Sequence, residues 1–302
     1  LGELATQNPD LIVLSSDARG SCSLTGYVDR FPEQYVEIGI AEQNLIGVSA
    51  GLAAVGMKPY VCAPACFLTA RSLEQIKVDV AYSHKNVKIL GVSGGISYGA
   101  LGASHHTLHD IAALRAIPDI MVLIPCDARQ TQAILRAVSE MEGAAYIRIG
   151  RDKIPAVYAD RQEVEPFTLG KAIVLREGRD VTLVACGELV HHALKACDLL
   201  AEQGIEARLL DMASLKPFDT DAIVQAAKET RAIVTIEEHS INGGLGATVS
   251  QIVAAHHPTR VTTLALPDEF LITGTNLELF AYYGLDAKGI TASTADLLAS
   301  ME

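Results

Sequence analysis

Tryptophan is absent from the 302-residue chain and aromatic residues make up only 5% of it, so an aromatic beside a loop stands out as a candidate platform for a flat ring. Basic residues are scarce too: Lys and Arg total 24 against 36 Asp and Glu, a formal charge of −12. That field repels phosphate backbones and anionic lipid heads, which argues against nucleic acid and membrane partners. No apolar run reaches the length of a membrane span, and the N-terminus lacks a basic-then-apolar signal pattern. The six cysteines form no CxxC pair, and the closest two, Cys62 and Cys66, have no histidine at metal-ligand spacing. They read as buried thiols in a reducing, cytoplasmic setting. A Walker-type GxxxxGK loop is missing, and the first strand runs into SSDARGS rather than a dinucleotide fingerprint.

What is present is the composition of a folding protein, 49% hydrophobic and 20% charged, with length enough for two domains. Strand-length apolar runs alternate with helical stretches: Leu11–Leu14, Tyr35–Ile38, Tyr60–Cys62, Val87–Val92, Met121–Ile124 and Tyr146–Ile149. Continuous rather than alternating apolar runs indicate strands covered on both faces, as in a parallel sheet. The pattern lapses in the polar, proline-bounded RDKIPAVYADRQEVEP at 151–166, then resumes with strands at Lys171–Leu175, Val181–Val184, Ala207–Leu210, Ala232–Ile236 and Val261–Leu264. The expected fold is α/β, two consecutive domains with mainly parallel sheets, 1–160 and 161–302. The chain begins inside what reads as a helix, so a short piece is expected ahead of Leu1.

Three segments carry candidate chemistry. Glu37–Asn44 reads as a strand ending in glycine and running into a helix whose first turn holds Glu42; taken alone, that acid only complements a helix N-terminus. Ala65–Ile76 reads as a loop entering an amphipathic helix with Phe67 at the junction. Gly94–His106 packs four glycines and two adjacent histidines just past a strand end, where open α/β sheets bind ligands and imidazoles can handle protons. His239 is split between a structural role and a subunit contact, and His191, His192, His256 and His257 read as solvated.

The ordered set of segments resembles the C-terminal half of transketolase, with closest similarity to family members split into two subunits. It comprises Leu14-Ser15-Ser16-Asp17, GIAEQN at Gly39–Asn44, the Phe67 and Arg71 helix entry, GASHH at Gly102–His106, Ala116–Asp119, Ile147-Arg148-Ile149-Gly150-Arg151 and Glu237–Gly246. The resemblance implies thiamine diphosphate chemistry on a pyrimidine-binding domain followed by a transketolase C-terminal-like domain. In such sites a glutamic acid in a poorly solvated cleft shares a proton with the pyrimidine N1′, and Glu42 matches that position. Phe67 matches the aromatic that stacks on the pyrimidine, Asp17 the acid beside the thiazolium, and Arg71 a further cofactor contact. His105 matches the histidine at the ketose oxygens. Ser21, Ser93, Leu101, His106 and Arg148 fall at substrate positions, Arg148 and Ser21 as holders of a sugar phosphate.

Three departures from the family pattern bear on substrate. Leu101 replaces an acid that contacts a substrate hydroxyl, Ser93 stands where a phosphate-contacting histidine is common, and Pro64 where a second ring is frequent. They point to a specialised ketose, branched, deoxy or sulfonated. No Gly-Asp-Gly is present, so the magnesium (or calcium) and the diphosphate are expected on an N-terminal diphosphate-binding subunit, in an α2β2 heterotetramer, with no metal ligand in this chain. Two alternatives stay open: the β subunit of a 2-oxo acid dehydrogenase, and a non-catalytic assembly subunit.

Overall fold

The structure is a computed structural model that describes residues 1–151, 153–159, 161 and 165–301. Twelve strands are described: β1 Leu11–Ser15, β2 Tyr35–Glu37, β3 Lys58–Pro64, β4 Lys88–Val92, β5 Ile120–Leu123, β6 Ala144–Ile149, β7 Ile173–Arg176, β8 Val181–Ala185, β9 Ala207–Asp211, β10 Ser214–Lys216, β11 Ala232–Ser240 and β12 Arg260–Leu266. They build a seven-stranded sheet in the order β10-β5-β6-β4-β3-β1-β2 and a five-stranded sheet in the order β12-β11-β8-β9-β7. Every pairing is parallel except β10 with β5 and β7 with β9, at one edge of each sheet. β1, β8 and most of β3, β4 and β6 are buried, which is why they read as unbroken apolar runs.

The eleven strands expected from sequence all form, with ends shifted by a few residues. β10 was not expected; it is a three-residue strand from the second half of the chain that lies antiparallel on β5 of the first sheet. Helices run between the strands of the second half, at Leu189–Glu202, Thr220–Glu229 and Leu245–His256. The helix expected to start at the Phe67 junction begins two residues earlier, at Ala65, and carries Phe67 on its first turn. One hydrophobic cluster spans the two sheets, joining Ile12, Val61 and Ile89 to Val184, Leu210 and Ile233, so the halves share a core. The expected junction at 160/161 adjoins Asp160, which lies outside the described residues.

Candidate active site

In the first sheet the chain passes from β1 to β2 on one side and then to β3 on the other, so a crevice opens outside the carboxyl ends of these strands. A cleft of about 570 Å³ lies there. Its lining comes from the segment after β1 (Ser16, Asp17, Ser21), after β2 (Ile40, Glu42), after β3 (Phe67, Arg71), after β4 (Tyr98, Leu101, His105) and after β6 (Arg151). Five strand ends thus converge on one volume.

Glu37, at the end of β2, organises the turns on either side. Its Oε1 accepts from the backbone N–H of Asp17 at 2.6 Å and of Gly39 at 2.9 Å, and its Oε2 accepts from Tyr35 Oη at 2.7 Å. Partial burial works against its charge, yet these hydrogen bonds hold its carboxyl below the usual range. The grip keeps Asp17 in the left-handed region, φ 51°, at the cleft wall.

Glu42 opens the helix Glu42–Ala54 and its side chain is 4% exposed. Arg71 Nη1 donates to both of its oxygens, at 3.0 and 3.1 Å. From Arg71 a ladder of rings crosses the cleft: the guanidinium lies 4.4 Å from the Phe67 centroid, Phe67 stands edge-on to His105 at 5.2 Å, His105 edge-on to Tyr98 at 5.6 Å, and Arg151 lies 4.9 Å from the Tyr98 centroid. His105 Nδ1 lies 2.9 Å from Ser104 Oγ. Ile40 and Leu101, 74% and 55% exposed, are apolar residues of the lining, together with Ala18, Pro64 and Phe67. A half-buried phenyl face with a buried carboxylate beside it fits a flat nitrogen heterocycle, which can stack and hydrogen-bond at once. Among the described residues no group of three His, Cys, Asp or Glu is placed to hold a metal ion.

Seven of the ten residues singled out from sequence, Asp17, Ser21, Glu42, Phe67, Arg71, Leu101 and His105, line this cleft. Three do not. Ser93 is fully buried at φ 59°, with its Oγ unpaired. His106 turns its buried ring away, its Nε2 3.4 Å from the Gly99 carbonyl, and borders a separate pocket with His109, Asp268 and Glu269. Arg148 sits within β6, 4% exposed, where its Nη2 donates to the Glu238 carbonyl at 2.7 Å and its Nε faces Asp110 at 3.4 Å. Burial alone would lower its pKa, but Asp110 and Glu238 hold it above the ordinary value. It is a buried link between the two sheets. Sequence reading passed over Arg151, the guanidinium that does line the cleft. The available signal was that Arg151, not Arg148, lies past the strand end.

His239 is structural: its buried ring accepts from Ala112 N–H at Nε2 and donates from Nδ1 to the Ser240 carbonyl, and burial pushes its pKa down to about 4. His191 and His192 are half-buried, the latter edge-on to Phe280, so they are not solvated as expected; His256 and His257 are exposed. All six cysteines are free thiols and five are buried.

Residues 1–156 match the transketolase pyrimidine binding domain and residues 170–290 the transketolase C-terminal domain, and the chain belongs to the transketolase family. It is 50% identical over 296 residues to one of the subunits of the apulose-4-phosphate transketolase of Phocaeicola vulgatus, covering 98% of this chain and 94% of that protein. It is 36% identical over 295 residues to the SqwH subunit of the 6-deoxy-6-sulfo-D-fructose transketolase of Clostridium sp. (strain MSTE9), covering 98% and 91%. A solved split gene transketolase, an inactive beta4 tetramer, superposes with a TM-score of 0.90 at 39% identity over 98% of this chain and 95% of that one. Transketolase of Pichia stipitis shares the fold at a TM-score of 0.83 and 21% identity, this chain covering 44% of its length.

Proposed function

We propose that this chain is the pyrimidine-binding subunit of a two-component, thiamine-diphosphate-dependent transketolase that moves a two-carbon ketol unit from an anionic ketose to an aldose. The observation that carries the reading is the convergence of Glu42, Phe67, Asp17 and His105 on one cleft at the sheet's switch point. Thiamine diphosphate, when bound, supplies the electron sink that allows the ketose C2–C3 bond to break. Phe67 would stack on its pyrimidine, Glu42 would hold and return a proton at N1′, and Asp17 would face the thiazolium. His105, held by Ser104 and wedged between Phe67 and Tyr98, is placed to serve the substrate oxygens.

Arg151 with Ser21 is the better candidate for the substrate anion, since both line the cleft and a guanidinium can fork two oxygens. Leu101 and Ile40 offer no hydrogen bond, which suits a ketose lacking a hydroxyl at that wall. Two relatives are named for a phosphorylated and a sulfonated sugar, in keeping with an anionic donor. The magnesium and the diphosphate are assigned to an N-terminal partner subunit in an α2β2 assembly, and the free thiols suit a reducing cytoplasm.

The test is ketol transfer by the chain mixed with its diphosphate-binding partner, thiamine diphosphate and magnesium, using phosphorylated and sulfonated ketoses. Transfer is expected, and Glu42→Gln should abolish proton exchange at the cofactor C2 while the complex still assembles. Near-normal exchange in that variant would remove Glu42 from its role.

A further inference from the structure

The guanidinium of Arg71 occupies both groups that the proposed pyrimidine site needs. It donates to the two Glu42 oxygens at 3.0 and 3.1 Å and covers the Phe67 ring at 4.4 Å. Phe67 and Arg71 are four residues apart on the helix Ala65–Arg71, so their side chains lie one above the other on one face. Among the described residues the Glu42 carboxylate makes no other hydrogen bond.

A guanidinium and the edge of an aminopyrimidine are chemically alike. Each is planar, flat enough to stack on a phenyl ring and able to meet a carboxyl group at a single nitrogen on its edge, as Arg71 Nη1 does with both Glu42 oxygens. We infer that Arg71 is an internal stand-in for the cofactor's pyrimidine: a positioning residue that holds Glu42 and Phe67 ready before loading and withdraws from both when the ring enters. The inference rests on the reading of Glu42 and Phe67 given above, and it makes Arg71 a competitor of the cofactor rather than a holder.

The burial asymmetry fixes which partner moves. Glu42 is 4% exposed and Arg71 49%. Water receives the guanidinium when it swings out, whereas the buried carboxylate has to be handed directly from one planar partner to the next.

The experiment is calorimetric and stopped-flow binding of magnesium–thiamine diphosphate to the cofactor-free complex of this chain with its partner. Wild type, Arg71→Met and Arg71→Lys are compared. With the competitor gone, a larger fraction of the site is open, and Arg71→Met should bind about two- to fivefold tighter and associate faster. Arg71→Lys should fall between, because an ammonium pairs with Glu42 but cannot stack as a planar fork. Binding by Arg71→Met that is equal to or weaker than wild type overturns the inference and returns Arg71 to holding the cofactor. If Arg71→Met does not fold, the lysine variant decides: tighter than wild type supports the inference, equal or weaker overturns it. A wild-type complex that binds no cofactor overturns the site reading as well, which separates the two failures.

Discussion

Arg148 and Arg151 stand three residues apart in different surroundings, one buried between the sheets and one lining the cleft, so substituting each with methionine divides structure from substrate. Arg148 is 4% exposed, faces Asp110 (fully buried) at 3.4 Å and Glu238 Oε2 at 3.7 Å, and donates to the Glu238 carbonyl at 2.7 Å. Methionine fills most of the volume but takes the guanidinium charge away from two carboxyl groups in the interior. Removing one partner from a buried ion pair costs about 3–5 kcal/mol. For domains of this size each kcal/mol moves Tm by about 2–4 °C, so the midpoint should fall by roughly 6–20 °C. Arg151 is exposed and its described contact is with the Tyr98 ring, so Arg151→Met should lower stability by less than about 1 kcal/mol while raising KM for an anionic ketose. The assays are thermal and urea unfolding of the purified chain and ketol-transfer kinetics of the reconstituted complex. Adding Asp110→Asn to Arg148→Met should recover part of the lost stability, because it removes one of the two buried negative charges. The reasoning is refuted if Arg148→Met unfolds at the wild-type midpoint, or if it raises KM while Arg151→Met does not.

Two further predictions concern the frame around the site. Burial raises the Asp211 pKa to about 6, against an ordinary value of 3.8, although Tyr158 Oη and Gln130 Nε2 both donate to its Oδ2 at 2.6 Å. A carboxyl with a raised folded pKa contributes stability that is full below 3.8 and lost as pH rises through 6. Asp211→Asn should therefore gain on wild type between pH 4 and 7 in urea midpoints; a constant difference across that range would contradict the assignment. Gly95 has φ +60°, and a Cβ there would lie 2.1 Å from Glu238 Cδ, so Gly95→Ala should destabilise by several kcal/mol and loosen the loop that carries His105. Hydrogen exchange across residues 96–107 reports it, and unchanged protection would count against the argument.

Features confined to a short stretch of chain were legible in the sequence. The helix beginning at Glu42 follows from the glycine-ended strand and apolar helix beside it, and the parallel sheets follow from unbroken apolar runs. Phe67 stood out because aromatics are few. What was not legible joins distant segments. The Glu42–Arg71 pair spans 29 residues, the Arg148 contact with Glu238 spans 90, and β10 is too short to show a period. Arg148 shows why: the resemblance matched it to a phosphate-holding position, yet its buried partners come from a helix and a strand the local sequence does not name. Position along the strand was the better guide. In a parallel sheet the interior of a strand faces core on both sides, so an arginine within it is committed to a buried counterion, while one two residues past its end meets the crevice. Applied to β6, which ends at Ile149, that rule separates Arg148 from Arg151 before any coordinates are seen. The same rule covers Asp17 beyond β1, Phe67 beyond β3 and His105 beyond β4, and it fails for Ser93 and His106. There the glycine-rich segment doubles back, with Thr107 bonded to Gly95, so residues just past a strand end are folded under their own loop.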